Sequence, residues 1–286
     1  MHEFHILTLG TAQVQHLQQD VSFHSESARD ILFYLLSHPE GRSKGDLLRD
    51  LWEEEATPAV NNRLRVNLHR IRSALGATGT LREQQGRLQL APEVLQSSDL
   101  HQFYTLVNEA QLLGGQARLD RLHEALKLCQ GPFLAGLQGS WMEEAREQHQ
   151  QAYLKVLMEV SDLHCLTRDC LPSVNALHQA LKTDPFLGEN HHQRLMACLA
   201  VAQDRYAAIA HYRRFLHFLK QDIEDTPMLE TVQLAESIKA GQGCCPRDPA
   251  ASATLPPPVS CPFGFQNGCQ FQAVPGLEHL QEIPVN

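Results

Sequence analysis

The 286-residue sequence has no run approaching the roughly 18 uncharged apolar residues of a membrane-crossing helix, so a membrane role is not expected. Its first ten residues lack the basic start and long apolar stretch of a signal peptide, which points to the cytoplasm. It also lacks basic charge: 24 Lys and Arg stand against 33 Asp and Glu, a net charge of −9. Bulk electrostatic attraction to nucleic acid is thereby excluded, and any such contact must sit in one local patch. Residues 1–95 carry 10 basic and 12 acidic side chains, so even the less acidic part is not basic. Catalytic signatures are missing too. There is no Gly-x-x-x-x-Gly-Lys-Ser/Thr phosphate loop, no Gly-x-Ser-x-Gly elbow and no His-Glu-x-x-His pair. No enzymatic activity and no cofactor are expected.

What is present is a 43% apolar chain, long enough to bury cores in two or three domains. Cys129, Cys165, Cys170 and Cys198 fall inside helical patterns and read as small buried apolar groups. Cys244, Cys245, Cys261 and Cys269 crowd a Pro- and Gly-containing stretch. Zinc or a labile disulfide would be alternatives there, but two adjacent cysteines and the long gaps fit no usual zinc knuckle. Residues 241–286 read as a disordered tail, and no metal site is expected. The tryptophans Trp52 and Trp141 flank apolar runs and read as core anchors. Glu53-Glu54-Glu55 and Glu143-Glu144 read as solvated charges. His191-His192 reads as surface, because neighbours on a helix point about 100° apart.

Along the chain, residues 3–23 alternate loosely and suggest two to four short strands. From Ser27 the period turns helical, ending at His38-Pro39-Glu40-Gly41. Ser43 with Asp46 three residues on predicts a capped helix over 44–52. Thr57-Pro58 starts another, over 58–75, in which Val60, Leu64, Leu68, Ile71 and Leu75 make one apolar stripe. Gly76 is suited to close it. Around Gln85-Gly86, residues 81–90 predict a β-hairpin. After Pro92 seven helices are expected, at 99–113, 117–129, 141–168, 171–182, 187–203, 205–222 and 227–240, with Gly or Pro at their junctions. Paired helices of this length suggest stacked helical hairpins with spacing near that of tetratricopeptide repeats.

The helix at 58–75 is the informative one. With Val60 at 0°, the stripe centres at about 40°, and Asn62, Val66, His69 and Ser73 lie around the opposite side. Arg65 and Arg72 flank that side on one edge, Arg63 and Arg70 on the other, and the helix holds no acid. Such a face suits a major groove: the central groups can meet base edges while the arginines reach the phosphate walls. A solvated Arg-rich surface is the plain alternative. Strands, three helices and a hairpin in this order form a winged helix.

Phe4–Gly10, Ala28–Gly41, Leu47–Trp52 and Asn61–Gly76 resemble the OmpR/PhoB-type winged helix, and more closely the version that heads the antibiotic regulatory protein (SARP) family. Asp99–Phe103, Cys129–Leu134, Ala207–Leu216 and Pro227–Glu230 resemble the bacterial transcriptional activator domain that follows it. The resemblance covers about 1–240. It implies a mainly α protein with a winged helix at 1–95 and a tetratricopeptide-like all-α domain at 96–240. Carried over residue by residue, it implies DNA contacts at Asn62, Arg63, Val66, Asn67, His69, Arg70 and Arg72. It also implies a phosphate contact at Ser43 and Lys44 and a wing contact at Arg87. Where the family often has Gly-Tyr in the wing, this chain has Gly86-Arg87. Double-stranded DNA is the expected partner, with RNA polymerase or a second copy meeting the helical domain. The competing reading is a helical-repeat adaptor whose winged helix docks protein.

Overall fold

A computed structural model describes residues 4–243 and 245, without 18, 24, 77 and 78. The described residues divide by contact into two compact units, 1–156 and 157 onward. The tail beyond 245, with Cys261 and Cys269, lies outside the described residues, as does Cys244.

The first unit begins with three short antiparallel strands, β1 (Phe4–Leu7), β2 (Gln13–His16) and β3 (Gln19–Asp20), in the order β1-β2-β3. Ile6 pairs with Val14, and alternation turns both inward. Helix α1 (Glu26–Leu36) follows, and Ile31 to Leu36 are all buried, so its C-terminal half runs through the core. α2 (Lys44–Trp52) starts at Ser43 as expected: the Ser43 hydroxyl accepts from the Asp46 N–H at 3.1 Å. α3 (Pro58–Ala74) starts on Thr57, whose hydroxyl accepts from the Val60 N–H, with Pro58 at the first helical position. Leu64, Leu68, Ile71 and Leu75 are buried, which confirms the apolar stripe.

A second sheet has the order β4-β6-β5, with β4 at Arg42–Ser43, β5 at Leu81–Gln84 and β6 at Arg87–Leu90. Gln85 and Gly86 both have positive φ, 51° and 75°, as a two-residue turn with the twist of a tight hairpin demands. The wing needs no aromatic: Leu81, Leu88 and Leu90 are buried and anchor it. A short helix that periodicity did not reveal, α4 (Pro92–Gln96), leads into α5 (Asp99–Gln111) and α6 (Gly115–Leu128).

The first compact unit runs past residue 95 for a visible reason. The buried Asp99 carboxylate accepts from the Thr8 N–H at 2.8 Å, the Leu9 N–H at 2.9 Å and the Thr8 hydroxyl at 2.6 Å. On the other side of the same strand end, Gln130 N–H donates to Leu9 O at 2.7 Å and Leu134 N–H to Thr8 O at 2.7 Å. Arg146 fixes that loop by donating to the carbonyls of Phe133, Leu134 and Leu137. Segment 6–10 is thus held by backbone and carboxylate partners drawn from residues 97–135. Trp141, expected as a core anchor, is only half-buried and lies edge-on to Tyr34 at 5.5 Å.

α7 spans Trp141–Leu166. The second unit holds α8 (Cys170–Thr183), α9 (Glu189–Ala202), α10 (Arg205–Phe218) with a π-helical turn at Leu219–Ile223, and α11 (Leu229–Lys239). Its core is built from Val174, Leu177, Leu195, Met196, Leu199, Ala208, Ala235 and Ile238. Two polar pairs lie inside it: Gln193 donates to Thr231 at 2.6 Å, and Arg194 pairs with Asp162. Of the four helical cysteines only Cys198 is buried; Cys129, Cys165 and Cys170 are half-buried, so three of them fill the edges of the core.

The histidine expectation is corrected here. His192 is buried, not surface-exposed: α9 is covered on most of its circumference, so adjacency did not imply exposure. Its ring stacks on Phe215 at 3.9 Å, and its Nδ1 lies 3.2 Å from Nε2 of buried His211. Burial pulls His192 down to about 4 and His211 down to about 3. Unfolded imidazoles protonate near 6.5, so the unfolded state gains protons first as pH falls. Their contribution is therefore complete above pH 6.5 and is lost as pH falls from 6.5 to about 4 for His192 and about 3 for His211. Urea unfolding at pH 7 and pH 5 should show a loss on the order of 1.4 kcal/mol per pH unit for each ring. His192→Phe should shrink that pH dependence; an unchanged difference would mean the rings are already solvated.

Candidate nucleic-acid interface

The exposed face of α3 is the one opposite its buried stripe. Asn62, Arg63, Arg65, Val66, His69, Arg70 and Ser73 are exposed, and Arg72 is half-buried at the edge. Val66 is 40% exposed, an apolar side chain offered to solvent in the middle of a polar face. No acidic residue occurs anywhere along this helix.

The arginines are held in different ways. Arg63 lies over the Trp52 ring, its guanidinium carbon 4.0 Å from the ring centre, and pairs with Glu54 at 3.0 Å. Trp52 is accordingly half-buried rather than a core anchor, and Glu54 is an ion-pair partner rather than a free solvated charge. Sequence reasoning missed both roles. The signal was the Trp52-Glu-Glu-Glu55 run just ahead of the Thr57-Pro58 helix start, which folds back alongside α3. Arg65 donates to the side-chain amide oxygen (Oδ1) of Asn62 at 2.9 Å, one turn earlier.

Asn67 departs from the expected set. It is 3% exposed, accepts from the Ser25 hydroxyl at 2.9 Å and donates to the Arg63 carbonyl at 3.1 Å. Its amide ties α3 to the entry of α1 and is not presented to solvent. Arg70 also reaches its oxygen, at 3.4 Å, which orients that guanidinium from behind.

The positioning helix and the wing meet beside this face. Ser43 is occupied as the α2 cap, its hydroxyl donating to the Asp46 carboxylate at 2.7 Å, and that bond with Arg49 holds Asp46 below the usual carboxylate range. Lys44 is exposed and pairs with Glu83 on β5 at 3.0 Å, so α2 and the wing are joined by a charge pair. Arg87 is exposed, and one of its N–H groups donates to the Gly41 carbonyl at 3.1 Å. Gly41 sits where a Cβ would come within 3.0 Å of Leu88 O and where φ is +77°, so strand β6 passes close only because no side chain is there. Exposed pairs of this kind contribute little to stability, and salt or a phosphate competes for them readily.

Residues 98–239 match the family model of the bacterial transcriptional activator domain. The chain carries that domain behind the winged helix. Its structure is similar to that of Mycobacterium tuberculosis EmbR in complex with a low affinity phosphopeptide, with a TM-score of 0.68 over 88% of this chain and 69% of that one. At 18% identity that likeness is one of fold. No curated protein matches the sequence. Among the described residues, no helix is long and apolar enough to cross a membrane.

Proposed function

We propose that this chain is a transcriptional regulator of the SARP type that binds specific duplex DNA in the cytoplasm by laying α3 in the major groove. Asn62, Val66 and His69 face the bases, while Arg63, Arg65, Arg70 and Arg72 meet the phosphates on either side. Lys44, with the free backbone N–H groups at the start of α2, positions the unit on one strand, and Arg87 contacts the backbone or minor groove from the wing. The observation that carries this reading is the acid-free α3 face, exposed exclusively on the side away from its core, in a chain of net charge −9. The helical domain would supply contacts to RNA polymerase or to a second copy, and the expected output is activation.

The adaptor reading draws support from one feature: Lys44 and Arg63 are already paired with Glu83 and Glu54. Selection of bound duplexes from a random pool separates the two. Asn62→Ala and His69→Ala should each change which bases are selected, at about 1–3 kcal/mol per lost base contact. Recovery of no enriched sequence by the unaltered protein would leave the adaptor reading standing.

A further inference from the structure

Cations that stand together without a carboxylate occur on a second helix besides α3. From Arg205 to Gln221, α10 and its continuation carry Arg205, Arg213, Arg214 and Lys220 and no acid at all. Burial of Ala208, His211, Tyr212 and Phe215 fixes the inner face of this helix. At about 100° per residue, the outward line then runs through Tyr206, Arg213, His217 and Lys220. All four positions except Tyr206 are basic or imidazole groups, and all four are exposed. Tyr206 is 69% exposed, with the Arg205 guanidinium over its ring at 5.1 Å and donating to its hydroxyl at 3.1 Å. Among the described residues, Arg213, Arg214 and Lys220 form no ion pair. In the same unit Arg194 and Lys239 are paired, with Asp162 and Glu236.

From this we infer that the outer face of α10 is a docking surface for an acidic amphipathic helix of a protein partner. The stripe is about 22 Å long, four turns of helix. It is bounded by acids at both ends: Asp204, whose carboxylate caps α10, and Asp222, Glu224 and Asp225 after the π-helical turn. A duplex is a continuous polyanion and would run off this stripe onto the acidic turn. An acidic helix of limited length matches its extent and its sign, with carboxylates spaced three and four residues apart opposite Arg213, His217 and Lys220. The exposed Tyr206, steadied by Arg205, supplies an aromatic anchor of the kind that dominates protein interfaces. This deepens the reading of the helical domain as a contact surface and names the chemistry of what it contacts; it does not depend on α3.

The test uses the full chain and a synthetic helical peptide of about 16 residues with its Glu residues along one face around a single Leu. A second peptide of the same composition has its Glu residues spread around the helix. The one-faced peptide should bind more tightly than the spread one and weaken as salt is raised. Arg213→Glu with Arg214→Glu should weaken it tenfold or more, Tyr206→Ala severalfold, and Arg213→Gln with Arg214→Gln should serve if the reversal lowers the melting temperature. Arg63→Ala with Arg70→Ala should leave peptide binding intact, so failure here and failure of the α3 reading are told apart. Equal affinity of the two peptides, or no change on charge reversal, would overturn the inference. So would a tenfold loss of DNA affinity in the α10 variant, which makes the stripe a nucleic-acid surface. Self-association of the unaltered protein that disappears in that variant would overturn it too, since a second copy would then be the occupant.

Discussion

Asp99→Ala should unfold or nearly unfold the first unit. Its carboxylate is the acceptor for two backbone N–H groups and one hydroxyl at the end of β1, all buried. Removing it strands three donors where water does not reach, and each stranded group costs about 1–3 kcal/mol. The sum, about 3–9 kcal/mol, is comparable to the whole stability of an ordinary domain of about 5–15 kcal/mol. Asp99→Asn keeps one acceptor oxygen and should lose roughly half as much. Chemical denaturation of both variants checks this, and a loss below about 1 kcal/mol for alanine would mean the strand end is held by its carbonyl bonds to residues 130–135 alone. The same contact predicts that a fragment ending at residue 95 folds poorly, since it lacks the carboxylate that completes β1.

Arg63→Ala combined with Arg70→Ala should leave the fold intact and weaken DNA binding by about 10- to 100-fold. The six cations on or beside the interface, Lys44, Arg63, Arg65, Arg70, Arg72 and Arg87, predict a slope near −5 in log affinity against log salt. Losing two should flatten it by about two units and weaken all duplexes alike, since phosphate contacts carry no sequence information. Arg63 is half-shielded by Trp52 and Glu54, so its replacement also releases Glu54, and the measured loss contains that carboxylate's repulsion of DNA. A double variant that binds as tightly as the unaltered protein, with the same slope, would remove α3 from the interface.

Local rules made most of the winged helix legible. Ser43 and Asp46 fixed where α2 starts, Leu64, Leu68 and Ile71 fixed which side of α3 is inside, and Gln85-Gly86 fixed the turn of the wing. These are short-range signals that any neighbour in sequence can carry. Asn67 shows the reverse. On the helical wheel it lies at about 340°, some 60° from the centre of the apolar stripe, so periodicity alone put it on the core side. The family resemblance placed it on the DNA, and the periodicity was the better guide, because an amide there is matched by Ser25, 42 residues away. His192 was hidden for a related reason: α9 is covered on most sides, and a polar residue on such a helix finds its partner, His211, only through the tertiary fold. The same holds for the stack of Arg63 on Trp52, which no spacing rule anticipates.

Dimethyl sulfate interference on a duplex selected by the full-length protein tests the central claim most directly. The reagent methylates guanine N7, which lies in the major groove, and adenine N3, which lies in the minor groove. A recognition helix seated as proposed predicts guanine N7 methylation that blocks binding over a few consecutive base pairs, with the pattern altered in Asn62→Ala and His69→Ala. Minor-groove interference should be confined to the flank reached by Arg87. Interference at adenine N3 alone, or a guanine pattern that survives both substitutions unchanged, would contradict the assignment of α3.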